Sequence, residues 1–352
     1  MSGQVQAYRV LNAKLRARIG ALLAEDFFRT LAGSATVEEA VTALDEQGFT
    51  DVAETYRTTG DVRLCEQELY RREIGSLLEA ERHLDGERRA FVAAVADRYE
   101  IENLKTAVRL WFESAVRGRR IESKIAYLSR VPVHRHIDYD RIVNAASWAD
   151  IAGTLENTPY AAPVSETIDH VQQSGSLFSM ERRLDRDYFE RMLAAARALP
   201  RRDREAAEAL IALEADRENA SWVVRAVSYY GLSEEDVTAG LVPGGAAFDS
   251  RTLRRAARAE RPGTELVDAL GTQAAGGGAT AAGRHARELE LVEAALGGEA
   301  ERLVRRWLGG YPFMMGVVLA YYLVTMRELR RVSAVLNSLF YGLEADVVEA
   351  AL

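Results

Sequence analysis

A single cysteine, Cys65, stands among 352 residues, so no disulfide can form within the chain and a reducing, cytoplasmic setting is favoured. Prolines number seven, too few for a loop-rich chain. Lysine is nearly absent: of 45 basic residues, only Lys14, Lys105 and Lys124 are lysines. Positive charge is not in excess either, because 53 acids leave a formal net charge of −8. That balance argues against nucleic acid as the main partner, since phosphate binding needs a basic surface. Long apolar runs are also missing. The longest, Tyr311 to Met326, contains Pro312, Gly316 and three tyrosines and is too short to span a bilayer comfortably; it reads as a buried helix. The opening Met1-Ser-Gly-Gln-Val-Gln has no basic segment leading into an apolar one, so no secretory signal is expected.

What is present is helix-forming. Ala, Leu, Glu and Arg dominate, and these are strong helix formers; the expected class is all-α. Residues 7–32 read as a helix through Val10, Leu15, Ile19, Leu22 and Leu23, and 35–58 as two short helices broken near Gly48. Long amphipathic helices are predicted over 61–84 and 86–118; in the second, Ile101, Leu104, Val108, Trp111 and Ala115 recur at helical steps. The pattern lapses at Val131-Pro-Val-His-Arg-His136, resumes from Tyr139 to Tyr230 with breaks at Pro159, Pro163 and Pro200, and lapses again near Gly231 and Val242-Pro-Gly-Gly245. A long apolar helix after Tyr311 and a closing helix to Leu352 are expected to end the chain.

Self-similarity is the informative signal. Glu102-Asn103 is followed by Arg109, and Glu218-Asn219 by Arg225, each arginine six residues after its asparagine; the two copies lie 116 residues apart. A degraded third copy is Met326-Arg-Glu328-Leu-Arg-Arg331. Three units of about a third of the chain each follow: residues 1–125, 126–238 and 239–352. On a helix, positions seven apart lie nearly one above the other, so Glu102 with Arg109 and Glu218 with Arg225 form stripes. Exposed pairs of this kind add only a few tenths of a kcal/mol. A polar stripe repeated on equivalent helices therefore points to a lock between neighbouring units or, failing that, to contact with a partner.

These features resemble the C subunit of bacterial and archaeal V/A-type ATPases, which eukaryotes call the d subunit. The similarity runs through Tyr8-Arg-Val-Leu-Asn-Ala-Lys-Leu-Arg16, Tyr99 through Arg109, Leu184-Asp-Arg-Asp-Tyr-Phe189, Asp216-Arg-Glu-Asn219 with Arg225 and Gly231, and Tyr311-Pro-Phe313 with Leu319-Ala-Tyr321, Glu328 and Gly342-Leu343. The order is kept over nearly the full chain. The family's last helix carries a further acid, an Asn and an Arg where Met326, Arg331 and Ser333 stand here. The resemblance implies three helical units around a pseudo-threefold axis forming a funnel. It implies a non-catalytic rotor part with no cofactor, peripheral on the cytoplasmic face of the membrane. Its narrow end would sit on the membrane rotor ring proteolipid, and its cavity would receive the central shaft subunits. Glu102, Asn103, Arg109, Glu218, Asn219, Arg225 and Glu328 are then candidate inter-unit or partner contacts.

Other segments carry weaker suggestions. His134-Arg-His136-Ile-Asp138-Tyr-Asp140 would bring two histidines and two aspartates to one face of an extended segment, a conceivable metal set, although His83, His170 and His285 show no ligand spacing relative to it. A polar interdomain connection is the simpler expectation. The Gly276 to Gly283 stretch lacks the Gly-Lys-Ser/Thr ending of a phosphate loop and reads as a flexible loop. Cys65 has no activating cation beside it and reads as a packed thiol. Arg251, Arg254, Arg255 and Arg258 share a helix face, either solvated or facing an acidic partner or anionic lipid. Beside the rotor reading stand a free-standing helical scaffold or regulatory protein reusing the fold and a metal-dependent hydrolase centred on His134 and His136.

Overall fold

The computed structural model describes residues 2–271 and 281–343. Every regular element among them is helical. The chain opens with α1 (Ser2–Ile19) and a compact set, α2 (Glu25–Ala32), α3 (Val37–Glu46) and α4 (Thr50–Thr59). A long hairpin follows, α5 (Val62–Arg82) and α6 (Gly86–Trp111), and a π-helical turn (Phe112–Val116) extends α6. Five short helices come next, α7 (Glu122–Ile125), α8 (Tyr139–Val143), α9 (Trp148–Leu155), α10 (Ala161–Ser165) and α11 (Ile168–Ser174). The second hairpin is α12 (Phe178–Ala198) with α13 (Arg201–Ser228), followed by α14 (Glu234–Ala239), α15 (Ser250–Ala257) and α16 (Pro262–Ala269). The third is α17 (Ala281–Gly309) with α18 (Met315–Tyr341).

Several of the short helices begin where a side chain caps them. Thr36, Ser147, Ser233 and Asp249 each accept from the backbone N–H three residues on, satisfying donors that a helix start leaves open. Glu39 reaches back past the cap and accepts from the Ala35 N–H at 2.8 Å, tying down the chain that enters α3. At the other end, Gly60 and Gly342 take positive φ (66° and 65°), where a side chain would be strained.

The three hairpins close on one another. The second helix of each packs on the first helix of the next: α6 on α12, α13 on α17, and α18 back on α5. Each second helix also carries a set of short helices: α8 on α6, α14–α16 on α13, and α2 and α3 on α18. The last set comes from the opposite end of the sequence. Phe28, Leu31, Val41, Leu44 and Val52 share a core cluster with Leu329, Val332, Val335 and Leu336.

Several boundaries differ from the sequence reading. The helix expected over 7–32 stops at Ile19 and restarts at Glu25, and the break lets the Leu23 amide reach Glu328 at 2.6 Å. Among the described side chains of α1, residues 8–19, Tyr8, Leu11 and Leu15 are buried, whereas Val10 is exposed. Pro163 lies inside α10, at the first turn, where a missing N–H costs nothing. The apolar run after Tyr311 is the start of one helix, α18, which continues to Tyr341; its residues 315–323 are all buried. Residues 344–352, assigned to the closing helix, and 276–280 of the glycine-rich stretch lie outside the described residues; 281–283 begin α17.

Candidate functional site

Each of α6 and α13 carries an acid three residues before its repeated asparagine, and the pair fastens the chain that follows the helix. Asn103, 7% exposed, donates to the Ser129 carbonyl at 2.6 Å and accepts from the Ser129 N–H at 3.0 Å. Asn219, 3% exposed, does the same to Val242 at 2.9 and 2.8 Å. Glu100 accepts from the N–H groups of His134 and Arg135, both at 2.7 Å. Asp216, the equivalent acid on α13, accepts from Ala246, Ala247 and Phe248. A side-chain amide has the donor and acceptor needed to pair with one peptide unit, and a carboxylate suits converging N–H groups. Both segments are non-helical connections whose backbone groups need partners when buried.

Glu328 joins this pattern in a different register from the one its neighbours suggested. It accepts from Leu23 N–H, so it acts as Glu100 and Asp216 do rather than as Glu102 and Glu218; burial raises its carboxyl above the usual range. Three positions on, where an asparagine would stand, Arg331 pairs with Glu25 at 2.5 and 2.8 Å and stacks on Phe28 at 3.9 Å.

The remaining repeated residues have a different environment. Glu102, Arg109, Glu218 and Arg225 all line one open cavity of about 1000 Å³ bounded by α6, α12 and α13. Their charges do not pair along the stripes. Glu102 meets Lys105 at 3.0 Å, and Arg109 meets Glu181 of α12 at 2.5 Å. Glu218 pairs with Arg182 of α12. Lys105, 6% exposed, also pairs with Asp185 of α12; burial opposes its charge, but Asp185 and Glu102 hold its pKa above the usual range. Arg182 bonds Asp185 at 3.1 Å and the Gly240 carbonyl at 2.7 Å and stacks on Trp222 at 4.8 Å. Arg225 is exposed and has no ion pair among the described residues.

Deeper in, equivalent positions of the repeat touch. Arg98 of α6 pairs with Glu214 of α13 at 3.0 Å, 116 residues apart, and also reaches Tyr322 of α18 at 3.5 Å. Burial works against the Glu214 carboxylate, yet Arg98 and Arg217 outweigh it and hold its pKa below the usual range. A second cavity of about 1000 Å³ lies between α13, α17 and α18, with Arg217, Arg327 and Arg330 in its wall beside Gly297 and Gly298.

The histidine segment is anchored by charge. The His134 side chain lies between Glu81 (2.7 Å) and Asp97 (3.4 Å). The Asp97 hydrogen bond, reinforced by Glu81 against the effect of burial, raises its pKa to about 9. A protonated imidazole has no lone pair for a metal. Asp138 caps α8, and Asp140 pairs with Arg130 at 2.8 Å; no group of three or more His, Cys, Asp or Glu among the described residues is arranged to hold a metal. Cys65 is buried against the carbonyls of Val52 and Asp61, and burial pushes its thiol up to about 12. On α15 Arg255 pairs with Glu265, and Arg258, just past its end, pairs with Glu234; Arg251 and Arg254 are exposed without an ion pair among the described residues.

Sequence reasoning gave no role to Asp97 or Asp203, and placed Glu100 and Asp185 only within the stretches Tyr99 to Arg109 and Leu184 to Phe189. The acid-x-x-Asn spacing at 100–103 and 216–219 was the available signal for Glu100. Asp203, fully buried, accepts from Arg88 at 2.7 Å and from Met315 N–H at 2.8 Å, closing the start of α18 against α6 and α13; nothing in its neighbours announces this.

The profile of the ATP synthase (C/AC39) subunit family matches residues 11–351. The chain is 25% identical to the C subunit of the A-type ATP synthase of Halorubrum lacusprofundi, over 97% of this chain and 95% of that protein. It is 24% identical to the corresponding A-type ATP synthase protein of Thermococcus kodakarensis, over 97% and 89%, and 25% identical to that of Pyrococcus horikoshii, over 93% and 85%. No helix among the described residues is long and apolar enough to cross a membrane.

Proposed function

Because the chain belongs to the ATP synthase (C/AC39) subunit family, whose members are non-catalytic, we propose that it is the central-rotor socket of an A-type rotary ATPase. In this reading it couples the central shaft to the membrane rotor ring and transmits torque without chemistry of its own. It sits peripherally on the cytoplasmic face of the membrane. Three units, bounded near residues 125 and 238, surround a pseudo-threefold axis as a funnel, and α2–α4 complete the unit that α18 ends.

The observation that carries the reading is the cavity. Glu102, Arg109, Glu218 and Arg225 recur at matched positions on α6 and α13 and line one open space, while Asn103 and Asn219 hold the backbone behind it. Repeated polar residues facing a cavity suit a partner, and repeated buried asparagines suit a rigid wall. Cyclic packing of three hairpins also suits a part under torsional load, since force is spread over side-chain interfaces with native-like packing.

The test is affinity purification of the tagged chain from detergent-solubilised host membranes, with mass spectrometry of the co-purifying proteins. Recovery of the catalytic subunits, shaft subunits and ring proteolipid is expected. A chain recovered alone rejects the rotor reading.

A further inference from the structure

The three hairpin turns gather at one end of the molecule. Asp203 ties the first turns of α6, α13 and α18 together, through Arg88 at 2.7 Å and the Met315 N–H at 2.8 Å. Tyr8 of α1 joins them, with Arg88 stacked on its ring at 5.4 Å, and Arg16 reaches the Leu308 carbonyl at 2.8 Å. This end is basic in a chain that is acidic overall. Residues 82–89, 197–205 and 302–315, which make the turns, hold ten arginines and four acids, whereas the whole chain carries −8. Two large apolar side chains are also exposed here, Val10 next to Tyr8 (63%) and Tyr311 in the third turn (43%).

Ion pairs within the chain use only part of that charge. Asp203 holds Arg88, Glu81 holds Arg89, Glu205 holds Arg201 and Glu299 holds Arg302. Arg9, Arg82, Arg197, Arg202 and Arg306 are exposed and have no ion pair among the described residues. Only two acids of the turns, Asp85 and Glu87, are in the same state. Arg82, Arg197 and Arg306 stand at matched places, the last turn of the first helix in each hairpin. A cation there suits the carbonyl end of its own helix, but that accounts for neither Arg9 and Arg202 nor the exposed Tyr311. The Tyr311 ring lies 5.7 Å from the Arg202 guanidinium and 5.7 Å from Phe313, so the aromatic and cationic groups adjoin.

The free cations are distributed over all three turns and α1 rather than gathered in one cleft, so their complement is a broad anionic surface. Arginines beside an exposed tyrosine match the headgroup layer of a membrane, where cations meet lipid phosphate and an amphipathic ring sits at headgroup level. We infer that the hairpin-turn end of this chain binds anionic phospholipid headgroups, through Arg82, Arg197 and Arg306 as three matched contacts, Arg9 and Arg202 beside them, and Tyr311 entering the interface. The inference deepens the socket reading, since it gives the membrane-peripheral chain a lipid contact of its own, apart from any protein subunit. Because the attraction acts between exposed charges, salt screens it.

The experiment is co-sedimentation of the purified full chain with phosphatidylcholine vesicles, with and without phosphatidylglycerol, at low and high salt. Binding is expected only with phosphatidylglycerol present, and is expected to fade at high salt. An arginine near an anionic membrane is worth a factor of about five in binding. Arg82→Gln, Arg197→Gln and Arg306→Gln should therefore each weaken binding about fivefold, and together about a hundredfold. Tyr311→Ser should weaken it a few-fold with the salt dependence retained. Arg29→Gln with Arg120→Gln and Arg141→Gln makes the same change of net charge at exposed positions outside the hairpin turns and α1 and should leave binding within about twofold of wild type. Circular dichroism of each variant establishes that the helices persist. If the wild-type chain does not bind phosphatidylglycerol vesicles, or if both triple variants weaken binding alike, the inference falls while the socket reading stands. If the turn variant binds vesicles as wild type does but loses the ring proteolipid on purification in detergent, the basic end faces protein and the inference is overturned. A chain that binds vesicles through these arginines but co-purifies with no other subunit upholds the inference and rejects the socket reading.

Discussion

Replacing Asn219 by alanine removes two hydrogen bonds to one buried peptide unit. The amide of Asn219 is the partner of both Val242 N–H (2.8 Å) and Val242 carbonyl (2.9 Å), and the two residues are 3% and 5% exposed. Each buried backbone group left unpaired costs about 1–3 kcal/mol, so the expected loss is about 3–5 kcal/mol after partial relaxation. For a 352-residue chain unfolding as one unit, an entropy of about 2 cal/mol/K per residue makes 1 kcal/mol worth about 1.4 °C. The alanine variant should therefore melt about 5 °C lower, read by calorimetry or by circular dichroism at 222 nm. Asn219→Asp sharpens the test. It keeps the acceptor for Val242 N–H but turns the donor that faces the Val242 carbonyl into a carboxylate oxygen, in a buried site. That raises the folded-state pKa above the ordinary ~3.9, so the variant's deficit is full at neutral pH and shrinks as pH falls through the raised value. Asn103→Ala, which breaks the same pair at Ser129, should match the Asn219 loss, whereas Glu102→Gln at a half-exposed side chain should stay within about 0.5 kcal/mol. A melting shift below about 1.5 °C for Asn219→Ala, or parallel pH profiles for Asn219→Asp and wild type, refutes the lock.

Other outcomes follow from the same geometry. His134 has a pKa raised from its ordinary 6.5 to about 9 between Asp97 and Glu81, so its stabilisation, of order 2 kcal/mol, is complete below about pH 6.5, fades with rising pH and is gone above about 9. His134→Gln should remove that alkaline fall in stability, and a wild-type curve flat from pH 6.5 to 9 would contradict it. Asp203→Ala leaves Arg88 and the Met315 N–H without their partner and should cost about 3–5 kcal/mol in urea; a change under about 1 kcal/mol refutes its role in holding α18. Reversal of Arg251 and Arg254 should lower recovery of the chain with the membrane fraction if that face of α15 meets lipid or the rotor ring, and unchanged recovery rejects such contact.

Part of the site was legible because it repeats. The matching of Glu102-Asn103 and Glu218-Asn219 announced equivalent helices, and both stripes do face one cavity. The division of labour within each stripe was not legible. One residue's rotation on a helix turns a side chain by about 100°, which separates Glu102, half-exposed on the cavity wall, from Asn103, buried against Ser129. The partners of the charged residues come from α12, 72 positions from Arg109 in one case and 36 from Glu218 in another, and no local pattern identifies them. Glu328 shows the same limit. Its neighbours aligned it with Glu218, but its bond is to Leu23, 305 residues away.

Helix content, the first long hairpin and the internal repeat were legible in the sequence itself, because 3.6-residue periodicity, capping side chains and turn glycines act within a few residues. The tertiary structure alone decided how the ring closes, with α18 against α5 and the N-terminal helices α2 and α3, and which acids fasten backbone and which line the cavity. Those choices depend on burying apolar faces and matching charges between residues hundreds of positions apart, and such contacts leave no periodic trace in the chain.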